Sequence, residues 1–150
     1  MLNAYAGIDC PCGSSQAFPD CCGRYIDGPL PAPTAEALMR SRYSAYVLGR
    51  ETYLLDTWHP DTRPETLSLT SDQRWLGLKI RSTRTGGEDD EEGMVEFIAR
   101  FKIAGRGHRL HEISTFRRLA GRWHYLDGVR GDTDSSRRED GRNGTETDYL

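Results

Sequence analysis

The segment from residue 34 to 58 constrains the fold most tightly, because it carries the one long helical periodicity of the sequence. Thr34 is suited to cap the N-terminus of this helix, and Gly49 is suited to end it. A second helix over residues 51–57 is expected to follow, with Pro60 preventing its continuation. Residues spaced by three and four positions share one helix face, and here they are Ala35, Leu38, Met39, Arg42, Tyr43, Tyr46 and Val47.

The second half of the chain changes to a period of two, which indicates β-strands. At the first strand, Leu76, Leu78 and Ile80 alternate with polar residues or glycine, which predicts one buried and one wet face. Short turns join the strands, so the sheet is expected to be antiparallel, and helices followed by such a meander predict an α+β fold. The further strands are predicted near residues 95–103, 108–119 and 123–127, with turns at 86–93, 105–107 and 121–122.

All four cysteines lie within the first 22 residues, as Cys10, Cys12, Cys21 and Cys22. Glycine, serine and proline surround them, so they are not core filler. Four thiolates match the tetrahedral preference of Zn²⁺, and Arg24 is placed to offset their charge. Two disulfides are the alternative reading. A reducing compartment favours zinc over disulfides.

Composition and charge exclude several classes of protein. The 150 residues carry a net charge of −3, which argues against a general polyanion binder. No apolar run reaches membrane-spanning length, and the first ten residues lack the basic start and apolar centre of a signal peptide. The sequence therefore predicts a cytoplasmic protein with no membrane partner.

The cysteine segment and the residues after it resemble a known family. The run CPCGS, then an aromatic residue and a Cys-Cys pair, looks like the SEC-C zinc motif. The continuation through residues 31–46 and 57–60 is similar to the YchJ-like family of bacterial proteins, over about residues 10–128. The resemblance implies a zinc module followed by a nuclear-transport-factor-2-like domain, a cone of two or three helices on a curved antiparallel sheet. It implies no settled activity, and Ser15-Gln16 replaces the usual Gly-Lys of the motif.

These observations divide the chain into four parts. A zinc module is predicted over residues 1–23 and the α+β domain over residues 34–130. Between them, residues 24–33 are predicted to be a linker, because glycines and prolines in this region stop helices. Residues 65–69 are compatible with one more helical turn. The polar residues 131–150 are predicted to be disordered, since they cannot bury enough surface to offset the ordering entropy.

The third strand carries an unusual polar pair. Its alternation places Glu112 and Ser114 on the same face as Leu110 and Phe116, towards the core. A buried carboxylate is costly unless it is paired, and Arg42 is the natural partner. The pair is either a structural ion pair or part of a ligand or catalytic site. The candidate pocket comprises Arg42, Tyr43, Tyr46, Trp58, His59, Glu112, Ser114 and Trp123.

Other roles remain open for several of these residues. His59 is either a cation at a helix C-terminus or a general acid/base, and the aromatic residues are either core or ligand contacts. Three functions follow: an adaptor that docks on a partner protein through its zinc motif, a small-molecule binder or enzyme, or RNA or ribosome contact. No complete catalytic set is visible, which leans against an enzyme. The RNA hypothesis rests on a basic stripe, which could equally be a solvated face: Lys79, Arg81, Arg100 and Lys102.

Overall fold

The computed structural model describes residues 8–69 and 72–131; the predicted disordered tail, apart from residue 131, lies outside these residues. It confirms the α+β class, with helices packed on a four-stranded antiparallel sheet. A 3₁₀ turn at Phe18–Asp20 precedes the first helix. The helices are α1 (Gly23–Ile26), α2 (Ala35–Leu48) and α3 (Glu51–Asp56), and the strands are β1 (Gln73–Thr85), β2 (Glu92–Ile103), β3 (Arg106–Leu119) and β4 (Arg122–Arg130).

Helix α2 lies at the centre of the molecule. Thr34 caps it by accepting a hydrogen bond from the Ala37 amide at 3.0 Å, and Gly49 ends it with a left-handed φ of 73°. The predicted apolar face packs on the sheet. The opposite face is buried as well, because Ser41 contacts α3 and Ser44 contacts the cysteine segment. Neither face of α2 is therefore left to solvent.

The sheet is a meander in the order β1-β2-β3-β4, and every neighbouring pair is antiparallel. Two of its turns are two-residue connections in which both residues have positive φ, the geometry of a type I′ hairpin. The two turns consist of Ala104-Gly105 and Ala120-Gly121, so each lies earlier than the sequence predicted. Alanine takes the first left-handed position and glycine the second in both cases.

The predicted burial of Leu76 is wrong, because a β-bulge interrupts the alternation of β1. Trp75 pairs with Phe101, but Gly77 pairs with Arg100, so one extra residue lies between the two register positions. Leu76 is consequently 52% exposed, whereas Trp75 packs against the core. A bulge inserts one residue and shifts the faces of the strand beyond it.

Two further local expectations need correction. Helix α1 forms at the start of the segment predicted to be a linker without helix, because the amides of Tyr25 and Ile26 donate to the Cys22 carbonyl. Residues 65–69, compatible with a helical turn, form none. No helix of the described residues is long and apolar enough to span a membrane.

Two segments lie alongside the first and last strands of the sheet. Residues 57–59 run beside β4, where the Tyr125 amide donates to the Thr57 carbonyl at 2.8 Å and the His59 amide donates to the Tyr125 carbonyl at 2.7 Å. The cysteine segment lies beside β1, where Leu78 packs against the cysteines. A Cβ on Gly13 would lie 3.6 Å from the Leu78 carbonyl oxygen.

Candidate metal centre and buried polar cluster

The four cysteines come together as predicted. Their Sγ atoms all lie within 4.8 Å of one another, each side chain is buried, and all four are free thiols. The Sγ atoms of Cys12 and Cys21 are 3.6 Å apart, far beyond the S–S bond length of about 2.05 Å. This donor set can hold a metal ion that prefers thiolate ligands.

Local backbone geometry delivers the two cysteine pairs to one point. The Cys10 amide donates to the Gln16 carbonyl at 2.8 Å, which closes the loop around the first pair, and Gly13 turns within it at φ 86°. The second pair leads into α1. Gly23 is required there, because a Cβ would lie 2.7 Å from the Phe18 carbonyl oxygen.

Two polar residues of helix α2 contact the cysteines, and sequence reasoning missed both. Arg40 Nη1 donates to the Cys12 carbonyl at 3.0 Å and lies 3.8 Å from Cys12 Sγ. Its Nε donates to Glu36 one turn earlier, which fixes the guanidinium. Ser44 Oγ lies 3.5 Å from Cys10 Sγ. These residues lie on the face of α2 that has no apolar signal in the sequence.

Arg24, expected to offset the charge of the cysteines, reaches their backbone instead. Its Nε donates to the Cys21 carbonyl at 2.9 Å, and its guanidinium lies over the Tyr25 ring at 4.8 Å. The cation closest to a sulfur in the described contacts is therefore that of Arg40.

Hydrogen bonds and burial shift the pKa values of the cysteine thiols in opposite directions. Hydrogen bonds from Cys10 and Cys22 hold the pKa of the Cys12 thiol far below its ordinary value, whereas burial raises the pKa of Cys21. Burial alone would lower the pKa of Arg40, but its hydrogen bonds to Glu36 and Cys12 raise it. The positive charge of Arg40 thus lies beside Cys12, the thiol whose pKa is lowered.

A second polar cluster lies inside the domain, around Arg42. This side chain is fully buried, and its Nη1 donates to the Leu54 carbonyl at 2.8 Å and to Thr57 Oγ1 at 2.7 Å. The guanidinium carbon lies 4.9 Å from the Trp58 ring centroid and 4.8 Å from that of Tyr125. Burial lowers the pKa of Arg42, while the nearby Glu112 carboxylate acts in the opposite direction.

Glu112 and Ser114 face the core, as the alternation of the third strand predicted. Glu112 is 1% exposed, and its Oε2 accepts from Ser114 Oγ at 2.9 Å and from the Tyr125 hydroxyl at 3.2 Å. Gly128 on β4 leaves the space for this carboxylate, since a Cβ there would lie 1.6 Å from Oε2. Burial and the adjacent Glu112 charge raise the pKa of Tyr125. Tyr125 therefore links the carboxylate to the guanidinium, donating to one and stacking on the other.

The remaining candidate pocket residues lie in three other environments. Tyr43 and Tyr46 pack against Trp75, with ring centroids 5.5 and 5.8 Å away. Trp123 Nε1 donates to the Pro33 carbonyl at 3.2 Å.

His59 lies beyond the end of α3, where its Nδ1 accepts from the Asp61 amide at 3.1 Å and its ring lies 6.2 Å from that of His124. The same Nδ1 lies 3.8 Å from Asp61 Oδ2, and both roles considered for His59 stay predictions.

A cleft of about 240 Å³ opens between the segment after α1 and the domain. Trp123 is the candidate pocket residue that lines it, together with aromatic, apolar and charged side chains from α1, α3 and β4. Whether Glu112 binds a ligand stays a prediction. The other lining residues are Tyr25, Ile26, Leu30, Pro31, Ala32, Leu38, Tyr53, Asp56, Thr57, Arg122 and His124.

Fold and cysteine cluster together define a class: small α+β proteins in which an N-terminal cysteine module precedes a helix-on-sheet domain. Residues 34–128 match the family model described as the YchJ middle NTF2-like domain. The chain belongs to this YchJ-like family, as the resemblance implied.

Relatives and solved structures agree with that assignment. The chain is 55% identical over 125 residues to a UPF0225 protein of Chromobacterium violaceum, covering 80% of this chain and 91% of the relative. It is 54% identical over 129 residues to a UPF0225 protein of Bordetella pertussis, covering 84% of this chain and 96% of the relative.

The solution structure of a SEC-C motif containing protein from Rhodopseudomonas palustris superimposes with a TM-score of 0.73 at 35% identity, covering 83% of this chain and all of that one. The crystal structure of a SEC-C motif containing protein from Psychrobacter arcticus superimposes with a TM-score of 0.68 at 28% identity, covering 87% of this chain and 86% of that one.

Proposed function

We propose that this protein is a zinc-dependent adaptor, in which Cys10, Cys12, Cys21 and Cys22 hold one Zn²⁺ and the module they form docks on a partner protein. The observation that carries the proposal is the set of four buried free thiols with Sγ atoms within 4.8 Å. Tetrahedral zinc with Zn–S bonds of about 2.3 Å places sulfurs about 3.8 Å apart. The 3.6 Å between Cys12 and Cys21 agrees with that spacing.

The metal supports the fold of the module rather than a reaction. Four protein ligands complete the coordination sphere, as in structural zinc sites, whereas catalytic sites keep one position open. The outer surface of the module is polar and accessible, with Ser15 and Gln16 exposed in the loop between the two cysteine pairs. Ile8, next to this loop, is 52% exposed. A partner would meet this small, metal-supported surface.

Metal analysis tests the first half of the proposal. Elemental analysis by inductively coupled plasma mass spectrometry should find one zinc per chain in protein purified without added metal. The Cys21→Ser variant should lose this zinc. Less than half an equivalent, with the thiols paired as disulfides, would end the zinc assignment. Because site and local fold form together, a chelator should disorder residues 8–24.

The contacts from α2 give a second test. Arg40→Gln removes the cation beside Cys12, and loss of such an outer-shell partner typically weakens metal binding by about 10–100-fold. Competition with a metallochromic chelator measures this change. Arg63→Gln is the matched control, because Arg63 is exposed and hydrogen-bonds to Leu55 rather than to the module. Equal zinc affinity in both variants would show that α2 does not stabilise the site.

Docking is tested with a photo-crosslinking amino acid. Placed at Gln16 in the loop of the module, it should give a discrete cross-linked product in cells, and the same product should disappear when Cys12→Ser removes a metal ligand. Glu65 is the control position, since it is exposed in a loop outside the module. Equal products from both positions, or none from Gln16, would contradict the adaptor role while leaving the zinc assignment intact.

A further inference from the structure

The outer face of the sheet carries five exposed cations in adjacent register positions, which we call the basic face: Arg74, Lys79, Arg100, Lys102 and Arg109. Arg74 on β1 pairs with Lys102 on β2, and Arg100 on β2 pairs with Arg109 on β3. Lys79 lies opposite Ile98, two residues before Arg100 on the same face. Like charges directly across a sheet are destabilising, so the fold maintains a local repulsion here.

The described carboxylates do not pair with these cations. Within residues 8–69 and 72–131, no salt bridge of 4.0 Å or less involves any residue of the basic face. Cations at the opposite end of the sheet are paired: Arg117 lies 3.7 Å from Glu92, and Arg118 lies 3.9 Å from Glu91. Five consecutive acids, Glu88 to Glu92, lie at the β1–β2 turn, and Glu96 on β2 is engaged by His111 at 2.7 Å. Among the described residues, the basic face therefore has no carboxylate partner of its own and can take an external anion.

The positions of the aromatic side chains indicate which class of anion the basic face can bind. The six aromatic residues of the strands all belong to the core on the inner face: Trp75, Phe97, Phe101, Phe116, Trp123 and Tyr125. No ring of this set is available to stack an unpaired base, as single-strand binders require. Protein interfaces are enriched in aromatic residues and depleted in lysine at their centre. A regular polyanion needs neither feature, because phosphate contacts supply the affinity.

Sheet geometry indicates which polyanion. Neighbouring strands lie about 4.8 Å apart and same-face residues about 6.6 Å apart, so the basic face is a broad two-dimensional grid. B-DNA admits a protruding helix or a two-stranded ribbon into its major groove. The minor groove of A-form RNA is wide and shallow and is bordered by phosphates, which suits a broad surface. We infer that the basic face binds the sugar–phosphate backbone of double-stranded RNA without sequence preference.

Fluorescence anisotropy with the full chain and a labelled mixed-sequence RNA duplex of about 20 base pairs tests this. If about four phosphates are neutralised, affinity should fall roughly 100-fold between about 50 and 200 mM salt. No saturable binding at the lower salt concentration would overturn the inference. Tighter or equal binding of a DNA duplex of the same sequence would refute the assignment to RNA, and preference for a polyglutamate peptide would assign the face to an acidic protein.

Paired variants locate the contact. Arg100→Gln should weaken RNA binding roughly fivefold and reduce the salt slope by about 1, and Lys102→Gln should do the same. Arg84→Gln is the matched control, because Arg84 is exposed on β1 opposite Met94, at the acidic end of the sheet. It should change affinity less than twofold. Equal losses in the Arg100 and Arg84 variants, with unchanged circular-dichroism melts, would show non-specific attraction and overturn the inference.

Discussion

Replacing Glu112 by alanine distinguishes a structural ion network from a ligand-binding carboxylate. In the structure the carboxylate accepts from Ser114 at 2.9 Å and from Tyr125 at 3.2 Å, and it attracts the buried guanidinium of Arg42. Glu112→Ala removes the oxygen that accepts from both hydroxyls, and it removes the negative charge that attracts Arg42 between its two aromatic rings. Removing one partner of a buried charge pair costs about 3–5 kcal/mol.

That cost is large compared with the total stability of a domain, about 5–15 kcal/mol. Glu112→Gln separates charge from hydrogen bonding, because the amide oxygen still accepts from the two hydroxyls; it should cost less, about 1–3 kcal/mol. An exposed carboxylate supplies the control. Glu65→Ala should change the free energy of unfolding by less than about 0.5 kcal/mol.

Urea unfolding of Glu112→Ala, Arg42→Ala and the double variant measures the coupling between the two charges. If they stabilise each other, the double variant should lose less than the sum of the single losses, with a coupling energy of about 0.5–3 kcal/mol. A Glu112→Ala protein as stable as the wild type, or more so, would refute the structural network. It would indicate a site whose stability is traded for function, and the interior would become the leading place to seek a ligand.

Three further changes test other parts of the structure. Gly128→Ala should destabilise the protein by about 3 kcal/mol in urea melts, because its Cβ would overlap the Glu112 carboxylate, and unchanged stability would contradict this close approach of β4 to the carboxylate. Hydrogen bonding with His111 lowers the pKa of Glu96. The ionised Glu96 therefore stabilises the folded protein at pH values above its ordinary pKa of 4.5, and this stabilisation is lost as the pH falls through the lowered pKa. The stability difference between wild type and Glu96→Gln should therefore vanish in acid, and a pH-independent difference would rule this out. Thr34→Ala should cost about 1 kcal/mol by removing the N-cap of α2, whereas Thr34→Ser should be nearly neutral.

Regular periodicity made part of the structure predictable. The burial of Glu112 followed from the alternation of β3, and the burial of Arg42 followed from its spacing with Leu38 and Met39 on α2. Cysteine spacing predicted the clustering of the four thiols in the same way, since all four lie in one short segment. Each of these inferences uses information within a single element.

Contacts between distant segments could not be predicted in this way. Arg40 and Ser44 occupy positions of α2 that look solvent-directed in the sequence, and they are buried or engaged because the cysteine segment folds back on them. The bulge that exposes Leu76 was equally hidden, since the alternation of residues 76–80 is unbroken and pairing with β2 decides the register. Tertiary packing supplied both corrections.

The position of the cysteine module beside β1 has a consequence for self-association. An uncovered outer strand presents unpaired amides and carbonyls, a template on which a strand of another molecule can add. In this fold residues 57–59 hydrogen-bond to the outer edge of β4, and the segment around Gly13 lies against Leu78 at the outer edge of β1. If the module holds its shape through the metal, metal loss would expose the outer edge of β1 while the outer edge of β4 stays covered. Metal-depleted molecules would then pair with one another through their β1 edges.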